Sequence, residues 1–347
     1  VKTIPVGIVG YGWAATAHID AINATRQGRV AAICSSRPLD AAAVEARHGG
    51  PIRVYRDLAA MLADPEIRVV DVTGYPSRHR DDAVAAARAG KHIILEKPMA
   101  NSPGEVRDIV AAAREHGVRG CVCFELLFSS QAEATFALLR EGLLGRLHYG
   151  EVDYYHGIGP WYGQFRWNTG KQDGGSALLS AGCHAINFLL ALVGDEVESV
   201  TSLSTRSASG IFSPYEYDTT SATLLRFKGG GVGKCVACID CLQPYYLHTH
   251  LVGSEGSVLD DRFHSQRLAA DKSRWSRLSM KLCDSGDVSD HPYQAQFQAF
   301  FDALDAGQDM PRTSLAAAAK TFDVIFAADQ SATRGGVPVR LDEAAAT

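Results

Sequence analysis

The sequence predicts an α/β protein: a doubly wound parallel sheet at the N-terminus, then an α+β domain with a large, mostly antiparallel open sheet. Three observations predict it. From residue 4 to about 123, short β-branched runs alternate with longer Ala-rich stretches of helical period. A G-x-G-x-x-A turn joins the first run to the first helix. Beyond about residue 124 the alternation gives way to several long strand candidates in succession.

The first-domain strands are read at Val6-Gly7-Ile8-Val9, Val30-Ala31-Ala32-Ile33, Val69-Val70-Asp71-Val72, His92-Ile93-Ile94-Leu95 and Gly120-Cys121-Val122-Cys123. Their nearly continuous hydrophobicity is that of parallel strands covered on both faces. Helices are expected near 14–25, 38–48, 57–63, 78–89 and 103–116. In the second domain the pattern predicts a helix near 130–141, a strand from Leu147 to Tyr155 and a polar aromatic loop. A helix near 176–193 follows, then strands near 197–206, 217–227, 231–242 and 246–252, and final helices near 293–305 and 313–333. The expected domains are 1–123 and 124–347, with helix 313–333 a candidate to pack back on the first.

A chain of 347 residues is long enough for two domains with sizeable cores. With 34 Lys+Arg against 39 Asp+Glu the formal charge is −5, and the basic residues are scattered among acids, which argues against a nucleic-acid partner. A hydrophobic share of 46% excludes a disordered or fibrous chain. The first residues lack the charged and apolar regions of a signal peptide, so a cytoplasmic location is expected. The 21 residues from Gly174 to Gly194 carry no Asp, Glu, Lys or Arg. Ser176, Ser180, His184 and Asn187 among them read as the polar edge of a core helix rather than a membrane span. The eight cysteines are expected to be reduced. Cys235, Cys238 and Cys241 are spaced by three, but on a strand Cys238 would face away from the other two, so no metal is expected.

The turn Gly10-Tyr11-Gly12-Trp13-Ala14-Ala15 opens a helix directly after a buried strand. Small residues at the first and third places let the backbone turn tightly and approach a pyrophosphate, whose charge the helix N-terminus stabilises; Ala15 lets the helix pack on the strand. This is the dinucleotide turn of a Rossmann domain. An NAD site usually ends its second strand in a carboxylate, whereas this strand ends Cys34-Ser35-Ser36-Arg37. Two hydroxyls and a guanidinium suit a 2′-phosphate, so NADP is favoured over NAD, with Asp40 the residue that keeps NAD open.

Glu96-Lys97-Pro98 ends the fifth predicted strand at the carboxyl edge, where ligands of such sheets bind. A partly desolvated lysine there can exchange a proton with a substrate hydroxyl. Together with Ala89-Gly90-Lys91-His92 before it, and Thr73-Gly74-Tyr75-Pro76 with His79, this resembles the glucose-fructose oxidoreductase / inositol dehydrogenase / rhizopine catabolism (Gfo/Idh/MocA) family. The resemblance continues through Glu141-Gly142-Leu143-Leu144-Gly145-Arg146-Leu147 and Gly174-Gly175 to Gly335-Gly336-Val337-Pro338-Val339. It implies an NAD(P)-dependent oxidoreductase acting on a sugar, cyclic polyol or glycoside. Lys97 and His184 are then catalytic, and Gly10 to Ala14, Ser35 to Arg37, Thr73 to Pro76, His79, Glu96 and Lys97 line the cofactor. It also implies a homodimer or homotetramer, built through the open sheet face.

Two departures from the family pattern matter. The substrate helix there carries Asp, His and Asp, where this chain has Ser180, His184 and Asn187. At i, i+4 and i+7 these share one face of an α-helix, so Ser180 and Asn187 can bond a polyol or orient the imidazole. In Phe124-Glu125-Leu126-Leu127-Phe128 the usual polar residues are replaced by leucines. Glu125 is read either as a ligand contact or as a structural charge partner. In the loop from Tyr154 to Asn168, the mixture of rings with Gln, Arg and His suits a sugar, and Trp161, Tyr162, Arg166 and Asn168 are the expected contacts. Two other readings remain: an enzyme that oxidises a sugar only transiently to release an aglycone, and a non-catalytic cofactor-binding regulator.

Overall fold

The computed structural model describes residues 2–268 and 271–344. Its first sheet is parallel and six-stranded, in the order β3-β2-β1-β4-β5-β6, the doubly wound arrangement that the alternation predicts. The strands are β1 (Ile4–Val9), β2 (Gly28–Cys34), β3 (Arg53–Tyr55), β4 (Val69–Val72), β5 (His92–Leu95) and β6 (Gly120–Val122). Between them run α1 (Trp13–Asn23), α2 (Ala41–His48), α3 (Leu58–Leu62), α4 (Pro76–Arg88) and α5 (Pro103–Glu115). Strand β3 is absent from the sequence reading because three residues are too few to set a period. Caps start the helices where the side chains allow: Asp40 accepts from the amides of Ala42 and Ala43, and Ser102 from that of Glu105.

The second sheet has nine strands in the order β14-β13-β12-β11-β7-β10-β9-β8-β15. Its elements in chain order are α6 (Ser130–Arg140), β7 (Leu147–Tyr155), α7 (Phe165–Asn168), α8 (Lys171–Gly174), α9 (Cys183–Val193), β8 (Val197–Thr205), β9 (Thr220–Phe227), β10 (Val232–Cys238), β11 (Tyr246–Gly253), β12 (Gly256–Leu259), β13 (Arg262–Ser265) and β14 (Ser276–Arg277). Helices α10 (Tyr293–Asp305) and α11 (Leu315–Thr333), strand β15 (Val339–Arg340) and α12 (Leu341–Ala344) complete the chain. All pairings are antiparallel except β7 with β10. Alternate residues of β9, β10 and β11 are buried, so one face is covered and the other open.

The chain packs as two compact units. One takes residues up to Glu125 together with His291–Ala319, the other Leu126–Asp290 with Lys320 onward. This differs from a division at 123/124, because α10 returns to the first unit. Phe297, Phe300 and Phe301 on α10 are buried, and Gly28 leaves the space that the Phe301 ring fills. Arg26 pairs with Asp302 on the rim at 2.7 Å.

Two local expectations are corrected. The segment read as one helix over 176–193 begins with a five-residue π turn, Leu178–Gly182, before α9. The wider turn alters the i, i+4 relation expected of Ser180 and His184. Strand β10 ends at Cys238, so Cys241 lies beyond it. The Cys238 thiol donates to Asp240 at 3.1 Å, and the mutual influence of the two thiols lowers Cys241 to about 7 and raises Cys238. Cys235, on the covered face, is the cysteine that points away. The run Lys171–Val193 is long and apolar enough to cross a membrane by composition, and 78% of its most apolar window is buried, as in a core helix.

Candidate functional site

In the first unit the site is built on strand ends. Strand β1 runs into Gly10, whose φ of +97° L-residues rarely adopt and where a Cβ would stand 3.2 Å from the backbone of Thr73 and Gly74. Gly12 is the N-cap residue of α1, and a Cβ there would meet nothing within 4 Å. No side chain caps α1 and no acid stands in its first turn, so the positive end of the helix faces open space. Ala15 is fully buried against the strand.

Beside this turn a cavity of about 570 Å³ is lined by Tyr11, Gly12, Trp13, Thr16, Arg37, Pro38, Leu39 and Arg47. Arg37 donates to the Tyr11 carbonyl at 2.6 Å, and the Tyr11 hydroxyl lies 2.9 Å from His48 Nε2. Ser35 is buried and accepts from the Arg37 amide, whereas Ser36 is exposed. Asp40 is occupied in capping α2 and does not line the cavity. An uncapped helix terminus and a glycine that leaves room fit the pyrophosphate of a dinucleotide. Arg47 was missed in the sequence because it lies at the far end of α2, thirteen residues beyond the end of β2 at Cys34.

At the ends of β4 and β5, Thr73 bonds the Val9 carbonyl, Tyr75 is exposed and Pro76 starts α4. His79 is fully buried between two carbonyls, with Nδ1 2.7 Å from Pro98 O and Nε2 3.2 Å from Gly74 O. Burial lowers its pKa. The Lys97-Pro98 bond is cis, and Lys97 is half-buried. The Glu96 side chain, expected to meet the cofactor, instead turns inward. One oxygen accepts from His18 Nε2 at 3.0 Å and from the Tyr293 hydroxyl at 3.1 Å, and the other from the Lys97 amide at 2.9 Å. His18 Nδ1 lies 2.9 Å from Asp71 on β4. Burial alone would lower the His18 pKa, but the charges and hydrogen bonds of Asp71 and then Glu96 outweigh it and hold the imidazole at about 10. Burial at the same time raises the Asp71 carboxyl against the pull of His18, so the turn that carries Lys97 rests on a buried, tightly coupled His18–Asp71–Glu96 cluster. Sequence reading missed His18, Asp71 and Tyr293; the legible signal was a polar ring among the apolar positions of α1. Glu125 is 1% exposed and lies 2.9 Å from His291 Nδ1, the geometry of a structural charge partner.

In the second unit Ser180, His184 and Asn187 are all buried along the π turn and α9. The His184 ring stacks on Tyr154, with centroids 6.0 Å apart. Asn187 donates to Thr321 on α11 at 2.9 Å. Asp329, also on α11, accepts from Ser176 at 2.8 Å, and burial raises its carboxyl to about 7. The aromatic loop is unevenly placed. Trp161 is 61% exposed with its indole N–H on the Gly157 carbonyl, and Arg166 is exposed. Tyr162 donates to the Gly286 carbonyl at 3.1 Å, and Asn168 is fully buried between Tyr215 and Tyr217. Asn168, expected to touch substrate, is thus bonded within the unit's aromatic core.

Residues 4–124 match the model of a family described as an oxidoreductase family with an NAD-binding Rossmann fold, and residues 133–259 match the GFO/IDH/MocA C-terminal domain. An uncharacterised oxidoreductase of Synechocystis is 30% identical over 58% of this chain and 54% of its own length. Levoglucosan dehydrogenase of Pseudarthrobacter phenanthrenivorans is 26% identical over 84% of this chain and 82% of its own. Trans-1,2-dihydrobenzene-1,2-diol dehydrogenase of Xenopus laevis is 29% identical over 51% of each. The chain thus matches about half the length of the first and third of these relatives. Among solved structures, levoglucosan dehydrogenase in complex with NADH and levoglucosan aligns with a TM-score of 0.83 at 23% identity, covering 98% of this chain and 99% of that one. Aldose-aldose oxidoreductase from Caulobacter crescentus, complexed with glycerol, aligns at 0.82 and 22%, covering 98% and 100%. Both structures are likenesses of fold.

Proposed function

The chain belongs to the Gfo/Idh/MocA oxidoreductases, which carry an NAD-binding Rossmann fold, and from that premise we propose that it is an NAD(P)-dependent dehydrogenase or reductase. Its substrate is a secondary hydroxyl, or the matching ketone, of a sugar, cyclic polyol or glycoside. The observation that carries this reading is the open, uncapped N-terminus of α1 beside Gly10 and Gly12. Levoglucosan dehydrogenase among the relatives supports the substrate class. NADP is favoured over NAD because Arg37 and Arg47 line the neighbouring cavity and no carboxylate does.

When bound, the nicotinamide supplies the hydride acceptor in oxidation and the donor in reduction. Lys97 takes the hydroxyl proton during oxidation and returns it in reduction, helped by His184. Backbone amides of the Gly10–Ala15 turn hold the pyrophosphate, and Arg37 the ribose phosphate. Ser180, Asn187, Trp161, Tyr162 and Arg166 orient the substrate hydroxyls and carbon skeleton. The enzyme works as a homodimer or homotetramer in the cytoplasm, the reducing compartment expected for a chain with eight cysteines.

A screen at 340 nm of sugars, inositols and glycosides, with NADP and NAD in parallel, tests this reading. The expected result is substrate-dependent reduction, with the larger kcat/KM for NADP. Released aglycone without reduced cofactor would replace the reading by transient oxidation. Tight cofactor binding without turnover over the whole panel would replace it by a regulator.

A further inference from the structure

We propose that the open face of the nine-stranded sheet carries a binding site for a divalent transition ion of the zinc class, with Glu151 on β7 and His248 and His250 on β11 as its protein ligands. His248 and His250 are two apart on one strand and therefore share a face. Strands β7 and β11 pair antiparallel, with His250 opposite Glu151 and His248 opposite Asp153. One donor atom from each ligand lies within 4.8 Å of the others. His248 Nε2 is 3.7 Å from Glu151 Oε1, and His250 Nδ1 is 3.9 Å from Glu151 Oε2. These separations are too long for hydrogen bonds but close to the roughly 3.3 Å between donors around a tetrahedral ion with bonds of about 2.0–2.1 Å.

The surroundings hold the donors in a binding arrangement. The Asp260 carboxylate lies 3.2 Å from His248 Nδ1, which puts the proton there and the lone pair on Nε2, the carboxylate–histidine pairing of metal sites. Asp260 is itself fixed by the Thr249 amide and the Tyr246 hydroxyl. The Tyr149 hydroxyl orients Glu151 at 2.7 Å. Among the described residues, His250 makes no hydrogen bond through its ring. Three carboxylates (Glu151, Asp153 and Asp260) meet one ammonium, that of Lys234. Lys234 is the incumbent cation, 2.5 Å from Glu151 and 2.8 Å from Asp153, so Asp153 retains it when Glu151 turns to the ion. The other cluster of ligand types, His18, Glu96 and Cys123, is unlike this one. Both His18 nitrogens there are taken by carboxylates, and burial pushes the Cys123 thiol well up, away from the thiolate a metal needs.

The test uses the full, untagged chain, stripped with a chelator, then titrated with Zn²⁺ by calorimetry and with Co²⁺ by visible absorption. One ion per chain is expected, with the intense Co²⁺ bands of a four-coordinate site. His250→Ala should weaken binding by at least about 100-fold and Asp260→Asn by about 10–100-fold. Lys234→Met should tighten it, a gain that an unfolded or merely weakened variant cannot imitate. Weak binding of several ions, an affinity that survives His250→Ala, or loosening in Lys234→Met overturns the proposal. If His250→Ala fails to fold, His250→Gln and Lys234→Met decide the matter.

Discussion

The surroundings of Lys97 and of His184 bury their polar side chains by opposite means. In the first, His18 is held as an imidazolium between Asp71 and Glu96, and Glu96 in turn fixes the backbone of Lys97. In the second, the helix that carries His184 is lined by the neutral Ser180 and Asn187, and the nearby Asp329 is pushed toward its neutral form. A buried ion survives only where counter-ions and hydrogen bonds replace water, and a carboxyl such as Asp329, whose burial outweighs the pull of Ser176 and Lys171, moves toward its neutral form instead. The difference teaches that Lys97 is positioned by an electrostatic frame, and the His184 face by packing and neutral hydrogen bonds.

The largest effect is expected at the residue that the frame presents. Lys97→Met should keep cofactor binding and lose about 10²–10⁴ in turnover, measured with the substrate found in the screen. Near-normal turnover would leave the frame with nothing to position. Next comes the frame itself. His18→Leu leaves two buried carboxylates without their cation and should cost about 3–5 kcal/mol in urea unfolding. Because the folded pKa of His18 is raised from 6.5 to about 10, its contribution is complete below pH 6.5 and is lost as pH rises toward 10. Wild-type stability should therefore fall across that window, while the variant stays flatter; identical profiles would remove the charged imidazole from the account.

Asp329 sharpens the contrast with a smaller effect in a lower window. An acid raised from 3.8 to about 7 binds its proton more tightly when folded, so stability is lost as pH rises from 3.8 through 7. Asp329→Asn should abolish that loss and stabilise the chain at pH 8 by about 2–4 kcal/mol, read from denaturant midpoints. A destabilised Asn variant at pH 8 would mean that Asp329 works as an anion, and the surroundings of Lys97 and His184 would no longer differ.

Much of this was legible locally. The six-stranded sheet follows from the alternation of runs and helices, and Gly10, Gly12 and Ala15 announce the turn by their sizes. Arg37 is read from the missing carboxylate at the end of β2. Glu96 was misjudged because it was read together with its neighbour Lys97, and nothing in the run shows that the carboxylate turns inward to meet a histidine 78 residues earlier. Asn168 misled for a similar reason: a polar residue among rings looks like a ligand contact until Tyr215 and Tyr217 are seen to enclose it.

By itself the sequence determined the order of elements, the nucleotide turn and the lysine at the strand end, since each depends on neighbours along the chain or on a period of two or 3.6 residues. Tertiary structure alone decided that α10 joins the first unit, that His18 meets Asp71 and Glu96, and that Glu151 faces two histidines across a strand pair. Such meetings depend on strand order and register, which bring together residues tens to hundreds of positions apart and leave no periodic trace in the chain.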